Sequence, residues 1–410
     1  MSARPFVRRV VLRNYKSIAA CDLRLGMLTF LVGSNGSGKS NFLDALRLVS
    51  DGLASPLDHA LRERGGIDDV RRRSTGHPHN FGIRLELELA HDARAVFAFE
   101  IAARKNGAFE VKEERCDVDR LPLARGETER ASYVVRRGDV VSCTIERPPA
   151  AAADRLYLVA MSGAPEFREV FDALSAMSFY NLSPAAIREV QPPDPGRRLV
   201  RDGRNLASVI GRLEAEAPES MKSVKAYLAK IAPGVQDVTR EAVAHRETLL
   251  FRQAVKGSAH PWKFFAGSMS DGTLRALGVL VALAQASDAG YPVPLIGIEE
   301  PESAIHPAAA TVLLEALLEA SAHTQVVVTS HSPDLLESED VSDPQIVAVA
   351  AEEGVTTLGP ITDVGRGALR DHLYTAGELL RMGQLEPHES ARGVSPEQLD
   401  LFAPAGGAAE

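Results

Sequence analysis

Gly33-Ser34-Asn35-Gly36-Ser37-Gly38-Lys39-Ser40, followed directly by Asn41, fits the pattern G-x-x-x-x-G-K-[ST] in full. The run Met27 to Val32 ahead of it is short and β-rich, and behind it Phe42, Leu43, Leu46 and Val49 recur at helical spacing. The spacing predicts strand, loop, helix, which is the context the pattern requires. Glycines let backbone N–H groups turn inward around phosphates, and the positive end of the following helix favours the same negative charge. Lys39 is placed to reach the β- and γ-phosphates of a nucleotide, and the Ser40 hydroxyl to hold Mg2+. The alternative is a glycine-rich turn that binds nothing, which would need neither the strand nor the helix.

Outward from the loop, three further stretches carry chemistry. Leu295-Ile296-Gly297-Ile298-Glu299-Glu300 is an apolar strand ending in two acids. Successive strand side chains point to opposite faces, so Glu299 is placed to support the Mg2+ shell and Glu300 to orient or deprotonate an attacking water. Without the phosphate loop, the same pair would read as two solvated acids at a strand end. Ser330-His331-Ser332-Pro333 follows the apolar run Val326 to Thr329, so His331 lies at the carboxyl end of another central strand, where ligands of open α/β sheets gather. A structural hydrogen-bonder is its bland reading, and a γ-phosphate sensor the functional one. Ser268-Met269-Ser270-Asp271-Gly272-Thr273 precedes an apolar helix from Leu274 to about Ala286. Ser270 or Asp271 could simply cap that helix, or Ser270, Gly272 and the free backbone N–H groups could present a second anion site.

Alternation of Ile83, Leu85, Leu87 and Leu89 with Arg84, Glu86 and Glu88 predicts half-buried antiparallel strands between Phe81 and Ile145. Helical signals follow from Pro165 to about Ala232, and α/β alternation resumes after Ser268. The expected division is residues 1–90 and 258–386 as two parts of one α/β unit, 91–257 as an inserted β and helical lobe, and 387–410 as a disordered tail.

Net charge is −9, so any nucleic-acid contact needs a local basic patch, for which Arg71-Arg72-Arg73 and Arg197, Arg198, Arg201 and Arg204 are candidates. Solvated or ion-paired arginines are the competing reading. Cys21, Cys116 and Cys143 are scattered and form neither a disulfide framework nor a zinc pattern. His77-Pro78-His79 has no nearby acidic or cysteine partner and is not read as a metal site. No apolar run reaches the ~20 residues of a membrane span, and the N-terminus lacks a secretory signal, which places the chain in the cytoplasm as an expectation. Trp262, Phe264 and Phe265 are expected to pack beneath the Ser270 stretch.

The order of these four elements resembles the ABC-type ATPase heads of the RecF, SMC and OLD-like families. Asn14-Tyr15-Lys16-Ser17, Asn41, and Glu299-Glu300-Pro301-Glu302 with His306-Pro307 are similar in detail. The resemblance implies a P-loop NTPase fold of ABC-ATPase type, with a mixed sheet, an antiparallel β lobe and a helical insertion. It makes Glu300 the catalytic glutamate, His331 the switch histidine, Glu302 to Ile305 a loop that crosses a dimer, and Ser270-Asp271-Gly272-Thr273 the signature, with Asp271 and Thr273 departing from its commonest form. It also implies a homodimer in which each phosphate loop faces the partner's signature across ATP. The family's glutamine loop has no clear match, and a residue between Ile67 and Asn80 is the expected substitute. ATP hydrolysis in DNA maintenance or antiphage defence is the implied role, with a separate effector such as a nuclease as partner and DNA as a further one. A P-loop kinase, or a nucleotide-binding scaffold without turnover, stands as the alternative.

Overall fold

The computed structural model describes residues 4–74, 78–120, 129–286 and 293–403. Its strands in chain order begin with β1 (Val7–Tyr15), β2 (Ile18–Arg24), β3 (Leu28–Val32), β4 (Asn80–Glu88), β5 (Arg94–Ala103), β6 (Phe109–Arg120), β7 (Glu129–Arg136) and β8 (Asp139–Cys143). They continue with β9 (Ser178–Tyr180), β10 (Val235–Val243), β11 (Arg246–Gln253), β12 (Trp262–Phe265), β13 (Leu295–Glu299), β14 (Gln325–Ser330), β15 (Ile346–Glu352) and β16 (Val355–Pro360). Thirteen strands form one mixed sheet in the order β8-β7-β6-β5-β4-β1-β2-β16-β15-β3-β14-β13-β9, and β10, β11 and β12 form a second, antiparallel one.

The run β15-β3-β14-β13-β9 is parallel throughout. These strands are apolar on both faces because both are covered. Leu31, Val327, Val347 and Leu295 join one hydrophobic cluster, while their neighbours Phe30, Val326, Val328, Ala348 and Ile296 join the other. The helix Lys39–Ala54 covers the first face, and the helices Asp271–Ala286 and Pro307–Ser321 belong to the second. Phe42, Leu43, Leu46 and Val49 are buried as their spacing predicts. Each such side chain contributes about 1.5–3 kcal/mol of burial. Parallel alignment brings the phosphate loop, Glu299-Glu300 and Ser330-His331 to one carboxyl edge of the sheet.

Four expectations change. Residues 91–257 do not form a body apart: β5 to β8 continue the main sheet, the boundary at residue 90 falls inside the β4–β5 pairing, and β9 is the outer strand of the parallel core. Period-two patterning announces strands but cannot say which sheet they join. The tail expected from 387 is folded as far as Ala403. Leu399 and Leu401 cluster with Val11 and Ala20, and the Arg84 guanidinium donates to the carbonyls of Leu401 (3.1 Å) and Ala403 (2.6 Å). Arg84, expected to face solvent, is therefore only 2% exposed. Residues 404–410 lie outside the described residues. Trp262 and Phe265, at 56% and 50%, are exposed on an outer strand, and Phe264 alone of the three packs against the core. No helix among the described residues is long and apolar enough to cross a membrane.

Candidate functional site

Gly33 follows β3 so closely that a Cβ there would lie 2.0 Å from the Val349 carbonyl oxygen, and one on Gly38 would lie 2.1 Å from Thr356 Oγ1. Gly38 also has φ +99° at the start of the helix and supplies no side-chain cap. The Asn41 N–H donates to the Gly38 carbonyl at 3.0 Å, and the Lys39 and Ser40 N–H groups ahead of it are left for an anion. Lys39 Nζ donates to the carbonyls of Gly33 and Ser34, both at 2.8 Å, which holds the ammonium in the mouth of the loop. Burial lowers its pKa, and the charges of Glu300 and Glu302 oppose that shift. Ser34, Asn35, Gly36 and Ser40 are exposed, whereas Ser37 is buried with its Oγ unpartnered among the described residues.

Asn41, expected at the nucleotide, faces elsewhere. Its amide donates to Ser17 Oγ at 2.7 Å, Ser17 Oγ pairs with Thr356 Oγ1 at 2.7 Å, and Thr356 Oγ1 donates to the Ser37 carbonyl at 2.8 Å. This relay ties the Asn14–Ser17 turn, with Asn14 and Lys16 at φ +55° and +47°, to the back of the phosphate loop. Asp44 strengthens the same joint by pairing with Lys16 (2.6 Å) and accepting from Tyr15 Oη (2.9 Å).

Glu299 ends β13, and Glu300 follows it outside the strand, so the two acids meet different partners. Glu299 Oε1 accepts from Arg201 Nη2 at 2.7 Å. Glu300 sits at φ +44°, its N–H donates to the Thr329 carbonyl at 3.0 Å, and its Oε1 lies 3.2 Å from His331 Nδ1 without hydrogen-bond alignment. Ser303 Oγ donates to Glu300 Oε2 at 3.3 Å, and Arg275 Nη1 to the Glu300 carbonyl at 3.0 Å. Glu302, the first residue of the loop expected to cross a dimer, turns its side chain into its own protomer. It is 6% exposed, and its Oε1 accepts from Ser330 Oγ at 2.6 Å and the His331 N–H at 3.4 Å. Its Oε2 is buried without a partner among the described residues, and burial raises its pKa against those hydrogen bonds. No motif spacing separates such an inward acid from an exposed one.

At the signature, Ser270 Oγ accepts from the Thr273 N–H at 3.2 Å and pairs with Thr273 Oγ1 at 2.8 Å, which is the capping arrangement. Asp271 is ion-paired with Arg188 at the exposed rim. Gly272 backs onto the 300–305 loop of its own chain, since a Cβ would meet the Ala304 carbonyl oxygen at 2.2 Å.

Of the segment between Ile67 and Asn80 expected to replace the glutamine loop, Val70 and Arg72 pack under the β1–β2 turn, through Lys16 N–H to the Val70 carbonyl (2.8 Å) and Arg72 N–H to the Asn14 carbonyl (2.8 Å). Residues 75–77, and so His77, lie outside the described residues. Beside Glu299 stands β9, whose Tyr180 is in register with Ile298, so the exposed Asn181 comes next at the level of Glu299. A three-residue strand leaves no periodic signal, which is why it was missed. Among the described residues no group of three or more His, Cys, Asp or Glu could hold a metal. A Mg2+ site of one carboxylate, one hydroxyl and phosphate oxygens needs no such group, and Glu299 with Ser40 suits that donor set. Of the basic candidates, Arg71, Arg73, Arg201 and Arg204 are paired with Asp68, Asp69, Glu299 and Asp202.

A family model described as "AAA domain, putative AbiEii toxin, Type IV TA system" matches residues 28–146 and 150–337. The chain belongs to this AAA family. The matched AAA span holds the phosphate loop, Glu299 and Glu300, Ser270 to Thr273, and His331, while the β1–β2 hairpin and residues 338–403 lie outside it. Two solved structures share the fold. One is the Smc head bound to the C-winged helix domain of ScpA, with TM-score 0.54 and 13% identity over 86% of this chain and 97% of that one. The other is the Smc head domain with an extended coiled coil bound to the C-terminal domain of ScpA, derived from Pyrococcus furiosus, with TM-score 0.55 and 12% identity over 90% and 99%. The fold is thus that of an ABC-type P-loop ATPase head. No curated protein matches the chain by sequence.

Proposed function

We propose that this AAA chain binds ATP with Mg2+, hydrolyses it, and closes head to head with a second copy around the nucleotide. The observation that carries the reading is the uncapped helix start with Lys39 in its mouth, on the same sheet edge as the Glu300–His331 pair. Bound Mg2+, held by Ser40 and Glu299, would neutralise developing charge on the phosphates. Glu300 takes the proton of the attacking water, and His331, beside it, senses the γ-phosphate. Asn181 stands where a water or metal contact is otherwise unassigned.

Ser270 and Asp271, at the start of that helix, are exposed, which supports this helix start facing the phosphates of a partner's ATP. The γ-phosphate then joins two surfaces, and hydrolysis releases them. The role read from this is a motor or sensor in DNA maintenance or antiphage defence, within the RecF-like and OLD-like branch and acting on a separate effector such as a nuclease. A family description that names a toxin–antitoxin system favours a defence setting. The ion pairs of Arg71, Arg73, Arg201 and Arg204 within the chain give these four residues little support as direct DNA contacts.

Glu300→Gln tests the reading. The variant should keep ATP binding, lose about 10²–10⁴-fold in turnover, and accumulate an ATP-held dimer by light scattering. Wild-type hydrolysis rates in this variant would place the base elsewhere.

A further inference from the structure

We infer that Arg201, which belongs to none of the motifs, is a further residue of the nucleotide site: it holds the Glu299 carboxylate and competes with Mg2+ for it. The inference rests on the Mg2+-ATP reading above. Arg201 Nη2 donates to Glu299 Oε1 at 2.7 Å, with the two side chains 46% and 18% exposed.

A braced turn delivers the guanidinium. The Arg201 carbonyl accepts from the Asn181 N–H at 3.0 Å, which lays the turn along the carboxyl end of β9. The Val200 N–H donates to Asn205 Oδ1 at 3.0 Å, and the turn closes through the Gly203 N–H to the Val200 carbonyl at 2.9 Å. The Leu199 N–H donates to Gln285 Oε1 at 2.9 Å, and Gln285 lies on the helix Asp271–Ala286 that begins at the signature. Arg201 thus connects the carboxylate assigned to the metal with the helix assigned to the partner's phosphates.

A guanidinium and a divalent cation on one carboxylate repel each other, and Mg2+ demands its own octahedral geometry. Metal loading must therefore loosen or displace Arg201, and the turn it belongs to can report that event to the signature helix. A purely structural arginine would predict the opposite sign, since its loss would weaken the site.

The experiment uses the full chain, a fluorescent non-hydrolysable ATP analogue at fixed concentration, and a Mg2+ titration of analogue binding. Arg201→Gln should lower the Mg2+ midpoint about two- to fivefold, the scale of a half-exposed ion pair. Arg201→Lys, which keeps the charge, should fall between that variant and wild type. A midpoint that is unchanged or raised in Arg201→Gln, with wild-type thermal melting, overturns the inference and leaves the nucleotide reading standing. Failure of the wild type to bind the analogue at any Mg2+ concentration overturns both.

Discussion

Lys39 spends its hydrogen bonds on two neutral carbonyls of its own loop. A triphosphate replaces these with charged acceptors, each bond to a charged group being worth about 1.5–3 kcal/mol. Lys39→Ala should therefore weaken ATP binding by roughly a hundredfold or more, and unchanged affinity in a calorimetric titration would remove the phosphate loop from the account. Glu300 shows the converse, a residue with a side chain held where the backbone favours glycine. At φ +44° a glycine would be easier, and a non-glycine in this region costs about 1–2 kcal/mol. Its N–H bond to the Thr329 carbonyl and the Arg275 bond to its own carbonyl hold the conformation in place. Burial lowers the pKa of Arg275 against the pull of Glu300 and Glu302, so this arginine is itself a partly desolvated prop of the Glu300 turn.

Among the elements, the helix Asp271–Ala286 serves the fold and the proposed site with the same first turn. Gly272 touches its own chain at Ala304, so a side chain there would disturb the protomer before any dimer formed. Ser270→Asp is the cleaner probe, because aspartate caps a helix as well as serine does while adding negative charge toward a partner's phosphates. It should leave nucleotide binding by the monomer within about twofold and abolish the analogue-held dimer, and a normal dimer in sedimentation would separate the signature from the shared site. The C-terminal strap is a second element with a measurable share in stability. Leu401 is 1% exposed, and its Cδ1 would lie 2.1 Å from a Cβ on Gly82, so the strap sits directly on β4. Leu401→Ala should cost about 2 kcal/mol in urea unfolding, toward the lower end for a leucine truncation because the cluster is small and near the surface.

At the scale of the whole molecule, Glu114 ties β6 to the chain leading into the helix Leu158–Met161. It accepts from Tyr133 Oη (2.7 Å), the Tyr157 N–H (2.6 Å) and the Leu158 N–H (2.8 Å). Burial nevertheless pushes its pKa from 4.5 up to about 7. Between those values the folded chain holds the proton more tightly than the unfolded one, so stability rises as pH falls from about 7 to 4.5 and is lost as pH rises through 7. The contribution is roughly 3 kcal/mol. Glu302 and Glu247, also raised, act in the same direction, while Asp44 is lowered and acts only at more acid pH. The difference in unfolding free energy between pH 5 and pH 8 should therefore shrink in Glu114→Gln relative to wild type, and equal differences would show that Glu114 does not titrate in this range.

The amino-acid sequence by itself determined the phosphate loop with its strand and helix, the acids that end β13, the position of His331 at a strand end, and the α/β class. All of these are local: a glycine needed for a turn, an apolar run, a helical spacing. Tertiary structure alone decided that β9 borders Glu299, that Glu302 turns inward while Asn41 turns to Ser17, that the tail straps β4, and that Arg201 reaches Glu299 from 98 residues away. The physical reason is that a side chain's partner across the sheet or under a strap is set by register and packing. Neither leaves a period in the chain for a reader of one sequence to find.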